Sequence, residues 1–367
     1  MANIEEIRAL LNAGSGKDAF AKMVKFVEGG RSANELASVA FLMMPFSASL
    51  AHKTAELSLQ SDPSNSLAME ALAEALARQG QFKEAEHWFL EAMPDLKTTE
   101  RKRWSEPVSC PICGRDEGEM IDIRNLRRMH PTANLPDPIR VWVRCRNCDL
   151  VRVRDRLSSE AKILYSSSSG IPANNPPDLR NEFHNAFLRE EGWCEHLQEV
   201  TGKAGRLLEV GAGWGTFMAA AAYRGFDVTG FEISQRNATW ITDHLGLKVI
   251  CGQAPADLPE ELYDVVASFE VIEHCQEPEL FLAGLADRVA PGGALALSTP
   301  FIDHPSAQVQ GYTNWMWHEI DHKVYFDRAT MAAALNRVGF SIERQWSSNR
   351  HLGCVAVIAT RNDKISA

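Results

Sequence analysis

The chain has 367 residues, 45% of them apolar and 23% charged, a globular composition long enough for two or three domains. The net charge of −10 argues against a general nucleic-acid-binding surface. No run approaches the roughly 18 apolar residues of a membrane span. The acidic start Met1-Ala2-Asn3-Ile4-Glu5-Glu6 lacks the basic and apolar regions of a signal peptide, so a cytoplasmic location is expected.

Residues 1–98 carry helical apolar patterns and no strand pattern. Ser32 to Met43, Ala48 to Leu59 and Ala68 to Met93 are predicted helical, and Ile4 to Val27 could add a further pair. Within Ala68–Met93, Leu72, Ala75, Gly80, Phe82, Ala85, Phe89 and Ala92 place small residues where two helices cross, a glycine at their turn and aromatics in the groove. This unit resembles a tetratricopeptide repeat. Two roles stay open for the region: a concave protein-binding surface, or a helical cap that packs on the rest of the chain or on a second copy.

Residues 105–160 form the next expected module. Cys110-Pro111-Ile112-Cys113-Gly114 and Cys145-Arg146-Asn147-Cys148 are two CxxC knuckles separated by 31 residues, and four thiolates so spaced can close a tetrahedral shell around a structural Zn²⁺. Unliganded or redox cysteines are the alternative. Val141–Arg144 and Leu150–Val153 alternate as short strands flanking the second knuckle. A module so small would need its metal to fold. The pattern resembles the zinc ribbons that precede methyltransferase domains in many bacterial proteins. Residues 101–156 hold 13 Lys or Arg against 8 Asp or Glu, a local excess that keeps a nucleic-acid role open for this segment. The single cysteines Cys194, Cys251, Cys275 and Cys354 are read as core residues.

From residue 161 to 367 the pattern becomes strand–helix alternation. Strands are predicted at Leu207–Val210, Phe226–Glu232, Leu247–Cys251, Tyr263–Phe269 and Gly293–Pro300, with a closing hairpin of Gly339–Trp346 and Gly353–Thr360. Helices are predicted at Phe217–Tyr223, Asn237–Leu245 and Pro278–Val289. Gly211, Gly213 and Gly215 follow the first strand in GxGxG spacing, where the backbone can turn tightly and approach a ligand. Glu209 stands two residues before them, and Glu232 ends the next strand.

These residues resemble motif I and the later motifs of the class I S-adenosylmethionine-dependent methyltransferases. The resemblance implies an α/β fold: a Rossmann-like sheet of seven strands, the last antiparallel, here preceded by the all-α repeat region and the zinc ribbon. It further implies that Glu209, Gly211, Ala212, Gly213 and Gly215 hold the methionine end of S-adenosylmethionine. Glu232 and Ile233 would lie at the ribose, Gln253 and Ala254 at adenine, and Phe269 and Glu270 beside the cofactor. Many relatives have Asp where Gln253 stands.

Phe269-Glu270-Val271-Ile272-Glu273-His274 is similar to the EH element of ubiquinone-pathway O-methyltransferases, which makes His274 the candidate general base for a hydroxyl acceptor. A structural histidine is the alternative. The segment after the fifth strand supplies His304, Tyr312, Trp315, Trp317, His318, Asp321, His322 and Tyr325. With Glu273, its aromatic and hydrogen-bonding side chains suit an acceptor pocket. His318 and His322, four apart, would share one helix face and could ligate a metal. The expected activity is O-methylation of a small molecule or a glycan or secondary-metabolite precursor. Two alternatives stand beside it: an RNA methyltransferase docked by the ribbon, and a non-catalytic adaptor with a retired methyltransferase domain.

Overall fold

A computed structural model describes residues 3–96, 105–130, 135, 137–158, 176–178 and 180–362. The boundaries drawn near residues 98–105 and 160–161, and the basic residues Arg101, Lys102 and Arg103, lie outside that set. The described residues of 1–108, 118–144 and 153–171 form one compact unit, and those of 109–117, 145–152 and 172–367 form another. The segment 105–160 therefore contributes to both.

In the first unit, six helices follow one another: α1 (Ile4–Asn12), α2 (Gly16–Val27), α3 (Ala33–Met43), α4 (Ala48–Ser61), α5 (Ser66–Arg78) and α6 (Phe82–Glu91). Their starts are set by capping. Ser32 and Glu35 form a capping box on α3, and the side chain of Asn65 accepts from the Ala68 N–H on α5. Between α5 and α6 the chain turns at Gly80, whose φ of +78° is the left-handed region that favours glycine. Ala68, Ala71, Ala75, Ala85 and Phe89 are fully buried, so α5 and α6 approach through small side chains closed by one ring. Strand β1 (Ser105–Pro107) pairs antiparallel with β5 (Asp155–Leu157). Strand β2 (Gly118–Asn125) lies beside β3 (Ile139–Cys145). Arg154 holds Glu86 of α6 with two hydrogen bonds of 2.9 and 2.7 Å and also meets Asp155, tying helix to strand.

The second unit is built on a seven-stranded sheet in the order β12-β13-β10-β9-β6-β7-β8. Its strands are β6 (Arg206–Val210), β7 (Asp227–Glu232), β8 (Lys248–Cys251), β9 (Tyr263–Phe269), β10 (Val289–Pro300), β12 (Phe340–Ser347) and β13 (Cys354–Arg361). Strands β6 to β10 pair in parallel, and β13 runs antiparallel to both β10 and β12. Order reverses between β6 and β9, the switch point where open α/β sheets bind ligands.

Because side chains alternate along a strand, each face has its own core. Leu207, Val265, Ala267, Ala296 and Ile358 pack with Trp193, Leu197, Phe217 and Ile241, which belong to the helices Glu182–Thr201, Thr216–Tyr223 and Gln235–Leu245. Leu208, Val266, Leu295 and Val357 pack on the other face with Phe281, Leu285, Met331 and Leu335 of the helices Pro278–Ala286 and Arg328–Arg337. Cys110, Ile112, Cys145 and Leu150 join that second core. The knuckles thus share the sheet's hydrophobic interior instead of standing on a core of their own.

Two sequence expectations are corrected here. The helix predicted to reach Val289 stops at Ala286, because Val289 already pairs with Tyr263 in β10, with a register shift before Ala294. Cys251 is exposed at the end of the edge strand β8, whereas Cys194 and Cys354 are buried and Cys275 is partly buried.

Candidate active site

The loop after β6 is shaped by backbone conformation. Gly211, Gly213 and Gly215 have φ of +83°, +57° and +73°. A Cβ on Gly211 would lie 2.4 Å from Val271 Cγ2, whereas one on Gly213 would meet nothing within 4 Å. Gly211 therefore admits close packing against the loop after β9, and Gly213 opens the turn to its surroundings. Gly211 donates its N–H to Phe231 O at 2.8 Å. The helix Thr216–Tyr223 starts at Gly215 without a side-chain cap from that residue, and the Met218 N–H of its first turn bonds the Glu209 carboxyl. Ala212 is buried within the turn.

Glu232 reaches this loop from the end of β7. Its Oε2 accepts from the Gly213 N–H at 2.9 Å and its Oε1 from the Ser234 N–H at 2.8 Å, so one carboxylate ties two strand ends together. Ile233 beside it is 70% exposed. Gln253 is exposed after β8, its N–H donating to Asp257 Oδ2 at 2.8 Å, and Ala254 is half-buried. Glu209 is buried in β6; loss of hydration pushes its carboxyl up to about 8, against the pull of Arg350 and with the push of Glu190 and Glu232. Phe269 is buried, 4.8 Å from the Phe217 ring.

The segment after β9 turns at once. Glu270, a non-glycine at φ +57°, accepts from Ser298 Oγ at 2.6 Å and from Cys354 Sγ at 3.0 Å. Glu273 is buried and accepts from Thr299 Oγ1 at 2.9 Å. Burial, reinforced by the Glu270 charge, raises its carboxyl well above the ordinary range. His274 ends the short 3₁₀ turn Ile272–His274. Loss of hydration around its imidazole lowers its pKa; Asp321 opposes that shift and Lys323 adds to it, favouring the neutral ring.

Across from His274 stands His322, ring centroids 4.8 Å apart. His322 Nδ1 is 2.9 Å from the Tyr325 hydroxyl, which donates to Met316 O. The Trp315 ring faces His322 at 5.9 Å and Trp317 faces Tyr325 at 5.5 Å. These residues come together because β11 (Val324–Tyr325) returns to pair with β4 (Val151–Val153), through Val324↔Arg152 and Tyr325↔Val151. The strand after the second cysteine knuckle thus supports this wall. Tyr312 lies in the 3₁₀ turn Gly311–Thr313.

One expectation for this wall is corrected. His318 ends the 3₁₀ turn Trp315–His318 and Glu319 is extended, so His318 and His322 do not share a helix face. Instead Glu273, His274 and His322 each offer a ligand atom within 4.8 Å of the others. His304 is buried with its ring nitrogens engaged by Ser306 Oγ at 2.7 Å and Ser347 Oγ at 3.0 Å. Arg350, Glu190 and Lys323 had escaped the sequence reading. Each is an ordinary charged residue in a helix or loop, and only the fold brings it to the site.

The cysteine knuckles form a separate cluster. Cys110 Sγ lies 3.5 Å from Cys148 Sγ and Cys113 Sγ 3.5 Å from Cys145 Sγ, and all four sulfurs fall within 4.8 Å of one another.

Comparison with known proteins adds to this geometry. Residues 184–345 match a family described as a methyltransferase domain. Over 137 residues the chain is 31% identical to the ubiquinone biosynthesis O-methyltransferase of Caulobacter sp. (strain K31), covering 34% of this chain and 54% of the relative. The corresponding Rickettsia prowazekii (strain Madrid E) protein is 36% identical over 99 residues, covering 26% of this chain and 39% of the relative. The chain thus spans about half the length of these curated relatives or less. Among solved structures, an S-adenosylmethionine-bound amino pentose methyltransferase from Micromonospora echinaspora aligns with a TM-score of 0.41 and 18% identity, over 50% of this chain and 93% of that one. Magnesium protoporphyrin IX methyltransferase from Synechocystis PCC 6803 aligns with a TM-score of 0.41 and 18% identity, over 52% and 91%. Residues 184–345, which hold the glycine turn between β6 and its helix and Glu232 at the end of β7, are thus those of a methyltransferase domain.

Proposed function

We propose that this protein transfers a methyl group from S-adenosylmethionine to a hydroxyl of a small molecule or glycan precursor. The observation that carries the reading is the turn of three left-handed glycines whose Gly213 N–H is held by Glu232 from the neighbouring strand end. The cofactor supplies a methyl already activated on a sulfonium. The protein's residues have to bind it, hold the acceptor in line and remove a proton.

Glu209 and the Gly211–Gly215 turn would hold the methionine end, Glu232 and Ile233 the ribose, and Gln253 and Ala254 the adenine edge. The fit is supported by Glu209 Oε2, buried without a hydrogen-bond partner, and by the start of the helix Thr216–Tyr223, which Gly215 leaves without a side-chain cap. His274, favoured in its neutral form, would take the acceptor's proton. His322, Trp315 and Trp317 would wall the pocket, with Tyr312 and His318 on the same segment. Titration with S-adenosylhomocysteine in a calorimeter tests the cofactor reading; an absence of binding overturns it. Methyl transfer to phenolic and glycosyl probes tests the acceptor class.

A second reading of the acceptor side rests on the Glu273–His274–His322 cluster. Two imidazoles and a carboxylate could hold a divalent ion that lowers the acceptor's pKa. Restoration of turnover by Mg²⁺ or Mn²⁺ in a metal-depleted enzyme of unchanged zinc content would favour the ion over a lone base.

Four thiolates around one zinc at about 2.3 Å stand about 3.8 Å apart, close to the spacings found here, so Cys110, Cys113, Cys145 and Cys148 would hold a structural Zn²⁺. The helical region would serve as a tetratricopeptide-like docking or self-association surface. The domains would run 1–98, 105–160 and 161–367, in a cytoplasmic enzyme. No helix among the described residues is long and apolar enough to cross a membrane. RNA docking by the basic segment loses support because Arg124, Arg140 and Arg152 are buried, Arg128 lies against Glu70 and Phe41, and Arg154 is spent on Glu86 and Asp155.

A further inference from the structure

A continuous chain of short contacts runs from the cysteine cluster to the acceptor wall. The second knuckle closes on itself: Cys145 donates its N–H to Leu150 O at 2.9 Å and Asp149 donates to Cys145 O at 3.0 Å, with Asp149 in the left-handed region at φ +61°. Strand β4 begins at Val151, soon after Cys148, so little backbone freedom separates the knuckle from the strand. Its Val151 and Arg152 pair with Tyr325 and Val324 of β11, and all four residues are buried. Just before β11, Lys323 donates its N–H to Glu273 O at 2.6 Å, inside the turn that ends at His274. The cysteines thereby reach both halves of the wall.

Strand β11 has little else to hold it. It is two residues long, stands at the edge of its sheet and has β4 as its one ladder neighbour among the described residues; after it, Phe326 makes a single bridge to Phe301. Strands so short do not keep their register by hydrogen bonds alone. What fixes β4 is the packing at the knuckles, where Cys110, Ile112, Cys145 and Leu150 share one core with Ile272, Val324 and Phe326. The donor side is held differently. Its glycine turn takes its hydrogen bonds from Phe231 and Glu232 of β7.

We propose that the four cysteines, closed around a metal ion, position the acceptor wall: the shell fixes β4, and β4 holds His322, Tyr325 and the His274 turn in place for methyl transfer. The inference rests on the methyltransferase reading, and on four sulfurs whose mutual spacing suits a zinc shell. A shell that joins Cys110 and Cys113 to Cys145 and Cys148 removes the freedom of both segments at once. Opening it releases Leu150 and Val151, and the wall loses its support. The glycine turn keeps its bonds to β7. The cysteines are thus positioning residues that act through β4, and metal content becomes linked to acceptor chemistry.

The test is amide hydrogen exchange on the full chain with and without zinc, read beside calorimetric titration with S-adenosylhomocysteine. Removal of zinc by chelation, confirmed by a zinc assay, should speed exchange in residues 315–326 by about tenfold or more while residues 207–217 stay as they were. Affinity for S-adenosylhomocysteine should stay within about twofold, since the donor side keeps its local bonds. Cys148→Ala should give the same pattern, and Cys148→His, which restores a fourth ligand, should bring back both zinc and protection. Unchanged exchange at 315–326 after proven loss of zinc overturns the proposal. So does an acceleration that spreads equally to 207–217, general unfolding of the stripped protein, or a chain that purifies without zinc and still protects the wall. Chelation decides the matter should Cys148→Ala not fold. If the exchange pattern appears but the unaltered protein does not bind S-adenosylhomocysteine, the methyltransferase reading falls and the support of the wall by the cysteines stands.

Discussion

The two sides of the candidate site are built on different principles. The donor side is a local device: three glycines within five residues adopt left-handed φ, and the one acid that closes the turn, Glu232, ends the adjacent strand. The acceptor side is assembled from segments far apart, with His274 after β9, and His322 before and Tyr325 within the strand β11 that pairs with β4. Changes on the donor side should therefore act through backbone geometry and abolish binding. On the acceptor side they should act on chemistry and leave the cofactor in place.

The largest effect is expected at Gly211. An alanine there would combine φ +83° with a Cβ 2.4 Å from Val271 Cγ2. Left-handed strain of about 1–2 kcal/mol adds to about 1–3 kcal/mol of overpacking. Denaturant unfolding should show a loss of roughly 2–5 kcal/mol, and calorimetry the loss of S-adenosylhomocysteine binding. If Gly211→Ala bound normally, the donor side would not be the rigid device described here.

Next comes His274→Ala. Removal of a general base costs on the order of 10²- to 10⁴-fold in turnover. Affinity for S-adenosylhomocysteine should stay within about twofold, since His274 lies on the acceptor side. Unchanged turnover would remove His274 from the chemistry, and a parallel loss of cofactor affinity would erase the distinction between the two sides.

The comparison also explains what could be read from the sequence. Strand and helix alternation after residue 206 was legible because buried strands such as Leu207–Val210 and Tyr263–Phe269 are continuous apolar runs between turn residues. The glycine turn was legible because φ > 0 leaves few residue choices. The Trp315–Tyr325 wall was legible only as composition. Its irregular 3₁₀ turns and two-residue strand are set by pairing with Val151 and Arg152, more than 160 residues earlier, and no local period encodes that. The expected helical face of His318 and His322 failed for this reason. Arg350 was invisible because a lone arginine in a polar turn carries no pattern until Phe269 and Glu190 meet it.

A smaller effect tests the donor side through pH. The Glu209 carboxyl stands at about 8 in the folded protein against its ordinary value of 4.5. A folded-state pKa above the unfolded one contributes stability that is complete below pH 4.5 and is lost as pH rises through about 8. Glu209→Gln, which cannot ionise, should gain on the unaltered protein across that window by on the order of a few kcal/mol, measured as unfolding free energy at successive pH values. A difference independent of pH would mean that Glu209 is ionised in the folded state.

The smallest change probes the acceptor wall alone. Tyr325→Phe deletes the hydroxyl that bridges His322 Nδ1 and Met316 O while keeping the ring against Trp317. Loss of one such bond costs about 1 kcal/mol, plus the penalty of a buried acceptor left unmatched. The variant should remain folded and bind S-adenosylhomocysteine as before, because the hydroxyl touches neither the glycine turn nor Glu232. Its methyl transfer should fall severalfold, with a shifted pH profile, since the His322 ring beside His274 loses the group that orients it. A fall in cofactor affinity equal to the fall in turnover would show that the wall and the glycine turn move as one body, and the division between local donor side and assembled acceptor side would have to be given up.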